Sequence, residues 1–223
     1  VQEEFDKNKY IKTKKELMKI IPKKAKVLDI GCSNGLFLRL CKQYDLDPQG
    51  VEISEPTVNY SKNKYNLDII LGRWEDISVK KNSKDLITFW ASHSYTQDPV
   101  LSLKKAWLTL KKGGVLMMLI DGNPENPVMS VLQEKCVGFE YSRLWYFSPI
   151  VMTKLLKKLK FKVIKIESII HNIDPIINYM EYKNPYLGNG LSRLWNNKNI
   201  KLVEDFLRKN NMGYKYKVFA KKI

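Results

Sequence analysis

The residues best suited to chemistry lie between positions 26 and 54, in KVLDIGCSNGLFLRLCKQYDLDPQGVEIS. Gly31 and Gly35 follow an apolar run, and glycines in such a turn let backbone amides approach a ligand without obstruction by a Cβ. Asp29 lies inside that run, where a carboxylate is costly unless a cation or amide donors meet it. Glu52 ends the next apolar run about 20 residues later, the offset at which an acid meets ribose hydroxyls. The stretch predicts a ligand held between two strand ends.

Several alternatives are excluded by spacing. The dinucleotide fingerprint needs GxGxxG, and the P-loop needs GK[ST]; the sequence Gly31-Cys32-Ser33-Asn34-Gly35 satisfies neither. Cys32, Cys41 and Cys136 contain no CxxC pair, and together with His93 and His171 they give no metal-ligand spacing, so no metal is predicted. This cysteine pattern favours a reducing cytoplasm.

Apolar runs that alternate with helical patterns must position these residues. Five β-α repeats followed by two late strands predict an α/β fold with a doubly wound, mostly parallel seven-stranded sheet and an antiparallel edge strand. We expect one domain over residues 1–223. The helix that begins at Pro99 is expected to end at Gly113–Gly114. Segments 121–150 and 171–200 are predicted substrate-side lids, because loops after the strands carry ligands in such sheets. The predicted strands are 26–30, 49–53, 67–71, 85–90, 115–120, 162–168 and 214–222.

The net charge of +16 allows two interpretations. Nearly all of the 39 basic residues are lysines, whereas readers of bases and phosphates favour arginine for its bidentate fork. Compositional drift over solvated faces is therefore the preferred interpretation, and a functional basic surface is the alternative. No apolar run reaches the roughly 18–20 residues of a membrane span. The polar N-terminus is not typical of a signal peptide.

Several motifs of the sequence resemble those of a known family. VLDIGCSNG followed by VEIS is similar to the first motifs of class I S-adenosylmethionine-dependent methyltransferases, which have a Rossmann-like fold. The similarity continues through LGRWEDI, DLITFWASHSYTQDP, LKKAWLTLKKGGVLMMLI and FSPIVMTKLLKKLKFKV, over roughly residues 10–170. Within the family, the chain resembles the branch that contains ubiquinone-pathway O-methyltransferases and bacterial sugar and natural-product methyltransferases.

The resemblance implies S-adenosylmethionine as cofactor and S-adenosylhomocysteine as product. It implies that Glu52 holds the ribose diol, with Ile53 against adenine. Trp74 and Glu75 would border the adenine, and Ala91 would face the methionine end. The residues implied around the amino-acid part of the cofactor are Asp29, Gly31, Cys32, Ser33 and Gly35.

Two departures from the family bear on catalysis. Arg73 stands where many relatives carry an acid, and Ser94–Tyr95 stands where the branch carries a Glu-His pair ahead of Asp98–Pro99. If the acceptor is a hydroxyl, a base assists the transfer, and His93 is the first candidate. Tyr95 and Asp121 are further catalytic candidates. Trp145 and Tyr146 are candidates for a wall that stacks on a sugar or aromatic ring, with ordinary lid packing as the alternative.

The favoured function is O-methylation of a small-molecule intermediate such as a sugar, in bacterial polysaccharide or natural-product biosynthesis. An RNA methyltransferase that uses the lysine-rich surface is one alternative, and a non-catalytic cofactor-binding scaffold is another. Peripheral contact of the basic N-terminal segment with a membrane, and a homodimer, also stay open as partner alternatives.

Overall fold

A computed structural model describes residues 10, 11, 13, 15–187 and 196–223, without the side chain of Asn197. Its seven strands form a single sheet in the order β3-β2-β1-β4-β5-β7-β6. Every neighbouring pair is parallel except the two that contain β7, which runs antiparallel to both β5 and β6. The strands are β1 (Lys26–Ile30), β2 (Asp47–Glu52), β3 (Ile69–Leu71), β4 (Lys84–Trp90), β5 (Leu110–Asp121), β6 (Phe161–Ile169) and β7 (Lys215–Lys222).

The helices begin at residues that suit helix starts. Asp98 and Ser148 cap two of them, since their side chains accept hydrogen bonds from the amides of Leu101 and Val151, and each is followed by proline. The helices are α1 (Leu36–Gln43), α2 (Glu55–Tyr65), α3 (Pro99–Thr109), α4 (Pro127–Leu132), α5 (Pro149–Lys158), α6 (Asp174–Tyr182) and α7 (Asn197–Lys209).

The sheet is covered on both faces, because successive strand residues point to opposite sides. One face buries Leu28 and Ile30 of β1 together with residues of α3 and α5, such as Leu103 and Met152. The other face buries Val27 of β1 against α1 and against Leu17. The predicted doubly wound α/β fold, with seven strands and antiparallel pairing at one edge, is confirmed.

One element boundary differs from the expectation. Helix α3 ends at Thr109, and Leu110 already has extended backbone and pairs with Lys84 of β4. The ladder resumes only at Val115, opposite Leu86, so the residues between form an irregularity in the strand. The glycine pair predicted to stop the helix lies in this irregularity, where Gly113 adopts a φ of +78°. Burial of Leu110 in the core explains why the chain leaves the helix early.

Within the described ranges, no helix is both long enough and apolar enough to span a lipid bilayer. The predicted lid 121–150 contains α4, and the second predicted lid contains α6. Residues 188–195 of that second lid lie outside the described part of the chain.

Candidate cofactor and acceptor site

A cavity of about 310 Å³ opens at the carboxyl ends of β1, β2 and β4. Strand order reverses between β1 and β4, because the chain leaves β1 toward β2 on one side and later returns to pair on the other. Such a switch point is where open α/β sheets bind ligands. The cavity is lined by Ile30, Gly31, Val51, Glu52, Ile53, Gly72, Arg73, Trp74, Glu75, Ser92, Tyr95, Thr96, Gln97 and Leu144.

The carboxylate of Glu52 joins two loops of this cavity. One oxygen accepts a hydrogen bond from the Ser33 amide at 2.9 Å. The other accepts from the amides of Ile53 and Ser54 at 2.8 and 3.0 Å. A carboxylate offers about four lone-pair positions, so Glu52 keeps acceptor capacity for hydroxyl groups of a ligand. It both shapes the cavity and can bind within it.

Gly31 sets how closely the ends of β1 and β4 approach each other. It has a φ of +71°, and a Cβ added there would lie 2.5 Å from Cβ of Ser92. The Ser92 hydroxyl donates a short hydrogen bond to the carbonyl of Ile30, which ties the two strand ends together. Any side chain larger than hydrogen at position 31 would force this corner of the cavity apart.

Lys105 of α3 holds the loop that forms the opposite wall. Its ammonium donates to the carbonyls of Trp74, Glu75 and Ile77, and it lies 4.7 Å from the centre of the Trp74 ring. Burial lowers the pKa of Lys105 from its ordinary value. The Trp74 indole also donates to the carbonyl of Ser102 at 3.1 Å. One cation thus fixes three carbonyls of a loop that would otherwise have few partners.

The remaining wall is the turn at residues 92–97, and the lid is attached to it. The amides of Leu144 and Trp145 donate to the Ser94 carbonyl at 3.0 and 3.1 Å. The Trp145 indole donates to the Thr96 carbonyl at 2.8 Å. From the other side, Glu75 accepts from the Gln97 amide at 3.0 Å. These bonds hold the turn to the lid on one side and to the loop after β3 on the other.

The structure brings half of the expected cofactor residues to the cavity. Gly31, Glu52, Ile53, Trp74 and Glu75 line it. The others lie beside or beneath it and are absent from its lining: Asp29, Cys32, Ser33, Gly35 and Ala91.

Asp29 is one of the five expected cofactor residues that do not line the cavity. It points to the α1 face of the sheet, on the same side of β1 as Val27, and is almost fully buried. Its carboxylate accepts from the Thr88 hydroxyl of β4 at 2.6 Å. Burial, with Asp29 as a secondary cause, raises the pKa of the nearby Cys32 thiol. Asp29 therefore joins β1 to β4 and does not line the cavity.

His93, the first candidate for a base, is 0 % exposed and does not line the cavity. Its ring lies between Phe89 and Phe147, with centroid distances of 5.4 and 5.5 Å. Its Nε2 is 3.2 Å from the Pro99 carbonyl, and burial lowers its pKa to about 4. The imidazole is a neutral core side chain that ties the turn to α3, which does not suit a base that must reach an acceptor.

Tyr95, by contrast, lines the cavity and is exposed. Its hydroxyl donates to a carboxylate oxygen of Glu140 in the lid at 3.1 Å. Glu140 also accepts from Arg143 at 3.1 Å. The arrangement is a phenol backed by a carboxylate at the mouth of the cavity, which can accept a hydrogen bond from a hydroxyl group.

Asp121 is engaged elsewhere. It ends β5 and forms an ion pair with Lys215 of β7 at 2.5 Å, and Arg143 approaches it at 3.9 Å. Asp121 raises the pKa of Arg143, against the lowering effect of burial. The charges join β5, β7 and the lid outside the cavity lining, so Asp121 holds the lid and is not placed against an acceptor.

The two predicted substrate residues take different positions in the lid. Trp145 is exposed at the margin of the cavity, and its ring is stacked at 6.5 Å from that of Phe147. Tyr146 packs into the small lid core with Val128 and Met129, and its hydroxyl accepts from the Glu140 amide at 2.8 Å. Neither lines the cavity, although Leu144 beside them does.

Five residues that line or support the cavity were not predicted from the sequence: Ser92, Gln97, Leu144, Lys105 and Glu140. Ser92 could have been found, because it follows the fourth strand directly at the ligand edge. The others carry no pattern of their own, since Lys105 resembles any other lysine of α3, and Glu140 lies in a segment without periodicity.

Comparison with known proteins identifies the family. A model described as a methyltransferase domain matches residues 3–166. No curated protein matches the chain.

Solved structures with the same fold include a SAM-dependent methyltransferase from Archaeoglobus fulgidus, with 19% identity, a TM-score of 0.69, and coverage of 99% of this chain and 94% of that one. A complex between the Haloferax volcanii Trm112 methyltransferase activator and a methyltransferase gives 17% identity, a TM-score of 0.67, and coverage of 99% of this chain and 93% of that one. An S-adenosylmethionine-dependent methyltransferase from Mesorhizobium loti gives 13% identity, a TM-score of 0.60, and coverage of 93% and 96%.

The Lys105 contacts generate a first prediction. Replacing Lys105 by Met keeps the alkyl stem and removes the ammonium, so the three carbonyls of the 74–77 loop lose their shared donor. We expect affinity for S-adenosylhomocysteine to fall by about tenfold, since each hydrogen bond to a charged group contributes about 1.5–3 kcal/mol. Calorimetric titration measures this. Lys104→Met, at an exposed neighbouring lysine, is the control, and equal affinities of the two variants would contradict the role of Lys105.

The burial of His93 generates a second prediction. Below its ordinary pKa of about 6.5, the unfolded chain binds a proton that the folded chain excludes down to about pH 4. Stability therefore falls as the pH drops through this window, by on the order of 3 kcal/mol. His93→Leu should weaken this dependence while it retains binding of S-adenosylhomocysteine. Urea unfolding at pH 7 and pH 4.5 measures it. His171→Leu is the comparison, because burial also lowers the pKa of this less buried histidine, and its removal should weaken the dependence less. An unchanged pH dependence in His93→Leu would show that His93 is not the group responsible.

Proposed function

Because this chain belongs to the methyltransferase domain family, we propose that it transfers a methyl group from S-adenosylmethionine to a hydroxyl oxygen of a small-molecule biosynthetic intermediate such as a sugar. That it is an S-adenosylmethionine-dependent methyltransferase of class I fold follows from the family. The class of acceptor, the transfer to oxygen and the place in a biosynthetic pathway are what we propose. The observation that carries it is one cavity bordered both by Glu52 at the end of β2 and by the Tyr95 phenol.

The residues of the cavity fit the cofactor. The Glu52 carboxylate has remaining acceptor capacity toward a diol, and its backbone partners already fix its orientation. Trp74 and Glu75 are held by Lys105 in a wall that can border an adenine. The volume of about 310 Å³ lies at the lower end of the range for small-molecule sites, about 300–1,000 Å³.

When bound, the cofactor supplies a methyl group on a sulfonium, which is already a strong donor. The protein therefore has to align the acceptor and exclude water. Leu144 and Trp145, bound to the 94–96 turn, cover the cavity on the acceptor side. Glu52 and the Gly31 corner would hold the donor, so that the acceptor enters past Tyr95.

A hydroxyl acceptor must lose its proton as the new C–O bond forms. The Tyr95 oxygen can accept that hydrogen bond, and the Tyr95 proton already points to Glu140. A proton can thus move from the acceptor to Tyr95 Oη and from there to the Glu140 carboxylate. This pair takes the part that the sequence analysis assigned first to His93.

The cellular setting is part of the proposal. The three cysteines are free and buried, which supports a reducing compartment such as the cytoplasm. The Haloferax neighbour was solved with an activator protein, so a search for an activator of the present chain is a sensible companion to substrate screening.

Cofactor affinity gives the first test of the proposal. We expect Glu52→Gln to weaken S-adenosylmethionine binding by about tenfold or more, because one carboxylate oxygen and the negative charge are lost toward the diol. Isothermal titration with S-adenosylmethionine and S-adenosylhomocysteine measures the change. Glu55→Gln is the matched control, since Glu55 is exposed in the first turn of α2. Unaltered binding in Glu52→Gln would contradict the assignment of this cavity as the cofactor site.

Acceptor chemistry gives the second test. In Tyr95→Phe, production of S-adenosylhomocysteine with hydroxyl acceptors from a panel of sugars and phenols should fall by about a hundredfold, the lower range for loss of acid–base assistance. Binding of S-adenosylmethionine should stay unchanged. Tyr141→Phe, at a fully exposed lid tyrosine, serves as the control. Full turnover by Tyr95→Phe would mean that alignment alone suffices.

A further inference from the structure

The amino edge of the sheet, opposite the cavity, carries a concentrated positive charge on its β4-β5-β7-β6 half. Four segments meet there: 78–85, which leads into β4; 104–114, from the end of α3 into β5; 157–163, from the end of α5 into β6; and 220–223, at the end of β7. Their pairing is explicit, since Lys84 is opposite Leu110, and Lys162 is opposite Lys221. The exposed lysines of these segments are Lys80, Lys81, Lys104, Lys112, Lys157, Lys158, Lys160, Lys162 and Lys221.

This charge is almost uncompensated by acids. Within those four segments the only acidic residue is Asp85. Both of its oxygens are engaged, because Lys111 donates to them at 2.8 and 2.9 Å and the Lys26 amide donates at 2.9 Å. Elsewhere the pattern differs: Lys165 pairs with Glu16, and Lys215 pairs with Asp121. A general compositional drift toward lysine would leave several of the 23 acidic residues of the chain among these lysines, whereas only Asp85 lies there.

An aromatic cavity lies within the basic surface. Its volume is about 340 Å³, and it is lined by Lys104, Trp107, Leu108, Lys158, Leu159 and Lys160. Trp107 is half-buried, and its indole N–H is buried without an acceptor among the described residues. The ammonium of Lys222 lies 4.1 Å from the ring centre, and Lys222 is itself bound to the Leu110 carbonyl and the Asn82 side chain. Trp107 therefore packs against a positioned ammonium and lies beside three exposed lysines.

Lysines around an aromatic cavity suit one class of polymer. Lysine binds phosphates as a point charge and carries little base specificity, and release of counterions from a polyanion supplies the affinity. Aromatic side chains add stacking with unpaired bases, which every nucleotide can provide. A duplex offers the phosphates without unpaired bases, and a lipid headgroup offers charge without an aromatic ring that could stack.

We propose that this face binds single-stranded nucleic acid without strong sequence preference, with phosphates along the exposed lysines and a base in the Trp107 cavity. The site is distinct from the methyl-transfer cavity. The two lie at opposite edges of the sheet, separated by at least the length of a five-residue strand, about 17 Å. A strand bound here is therefore an anchor and not the methyl acceptor, and the inference does not depend on the acceptor proposed above.

The test uses the full chain, fluorescein-labelled oligouridylate and fluorescence anisotropy at several salt concentrations. We expect binding that weakens steeply with salt. The triple variant Lys104→Glu/Lys158→Glu/Lys160→Glu should bind at least tenfold more weakly, and its plot of log affinity against log salt should be shallower by about 2, at about 0.7 per lost phosphate contact. Trp107→Leu should weaken single-strand binding and leave duplex binding unchanged.

The matched control is Lys62→Glu/Lys201→Glu/Lys209→Glu, with the same change in net charge at exposed lysines of α2 and α7. Binding of S-adenosylhomocysteine should be equal in both triple variants, which shows that each is folded. Equal loss of oligonucleotide binding in the two variants would overturn the proposal, because attraction would then follow net charge alone. Absence of binding at low salt, or preference for phosphatidylserine vesicles over the oligonucleotide, would overturn it as well.

Discussion

The reversal of strand order between β1 and β4 is the constraint on which the site depends. Parallel strands place all their carboxyl ends at one edge, and the connections from β1 and β4 diverge there to opposite sides. The crevice that remains has to be closed by loops, and each loop is held by a specific interaction. Glu52 holds the turn after β1, Lys105 holds the loop after β3, and the Ser94 carbonyl holds the lid. None of these bonds belongs to a strand pairing, so we expect their removal to affect the cavity more than the sheet.

The two edges of the sheet differ in electrostatic character. At the carboxyl edge, charged groups are paired in short-range arrangements, such as Asp121 with Lys215 and Glu140 with Arg143. These pairs hold the lid beside the cavity, and the Arg143 side chain that joins them is almost fully buried, where an unpaired charge would be costly. On the β4-β5-β7-β6 half of the amino edge, most lysines are exposed, and Asp85 is the only acid within the four segments described above. Charges of this kind act at longer range and are screened by salt. Charges at the carboxyl edge of the sheet thus position loops, whereas charges at the amino edge can attract a charged partner.

The sheet and the donor half of the site could be predicted from the sequence, because both depend on local patterns. Alternation of apolar runs and helical periodicity predicted the strands, and Gly31 and Glu52 were found from their place at strand ends. The limits are equally physical. Asp29 and His93 have residue types that suit chemistry, but side-chain direction and burial decide their roles. The spacing of residues in the sequence predicts neither direction nor burial. Lys105 and Glu140 act through contacts between segments far apart in the chain, which no periodicity reports. The prediction of one domain and the assignment of individual site residues remain predictions.

The position of β7 has a consequence for the order in which the chain acquires its structure. β6 makes no pair with β5, and both depend on β7, which is placed between them and is the last strand in the sequence. During synthesis, β1 to β5 can assemble as they emerge, whereas β6 waits with both of its edges unpaired until residues 215–222 arrive. Contacts between β5 and β7 span about a hundred residues of chain, and such distant pairings close slowly. The interval leaves the edge of β5 unpaired, so this chain is expected to be most vulnerable to aggregation before residues 215–222 have emerged.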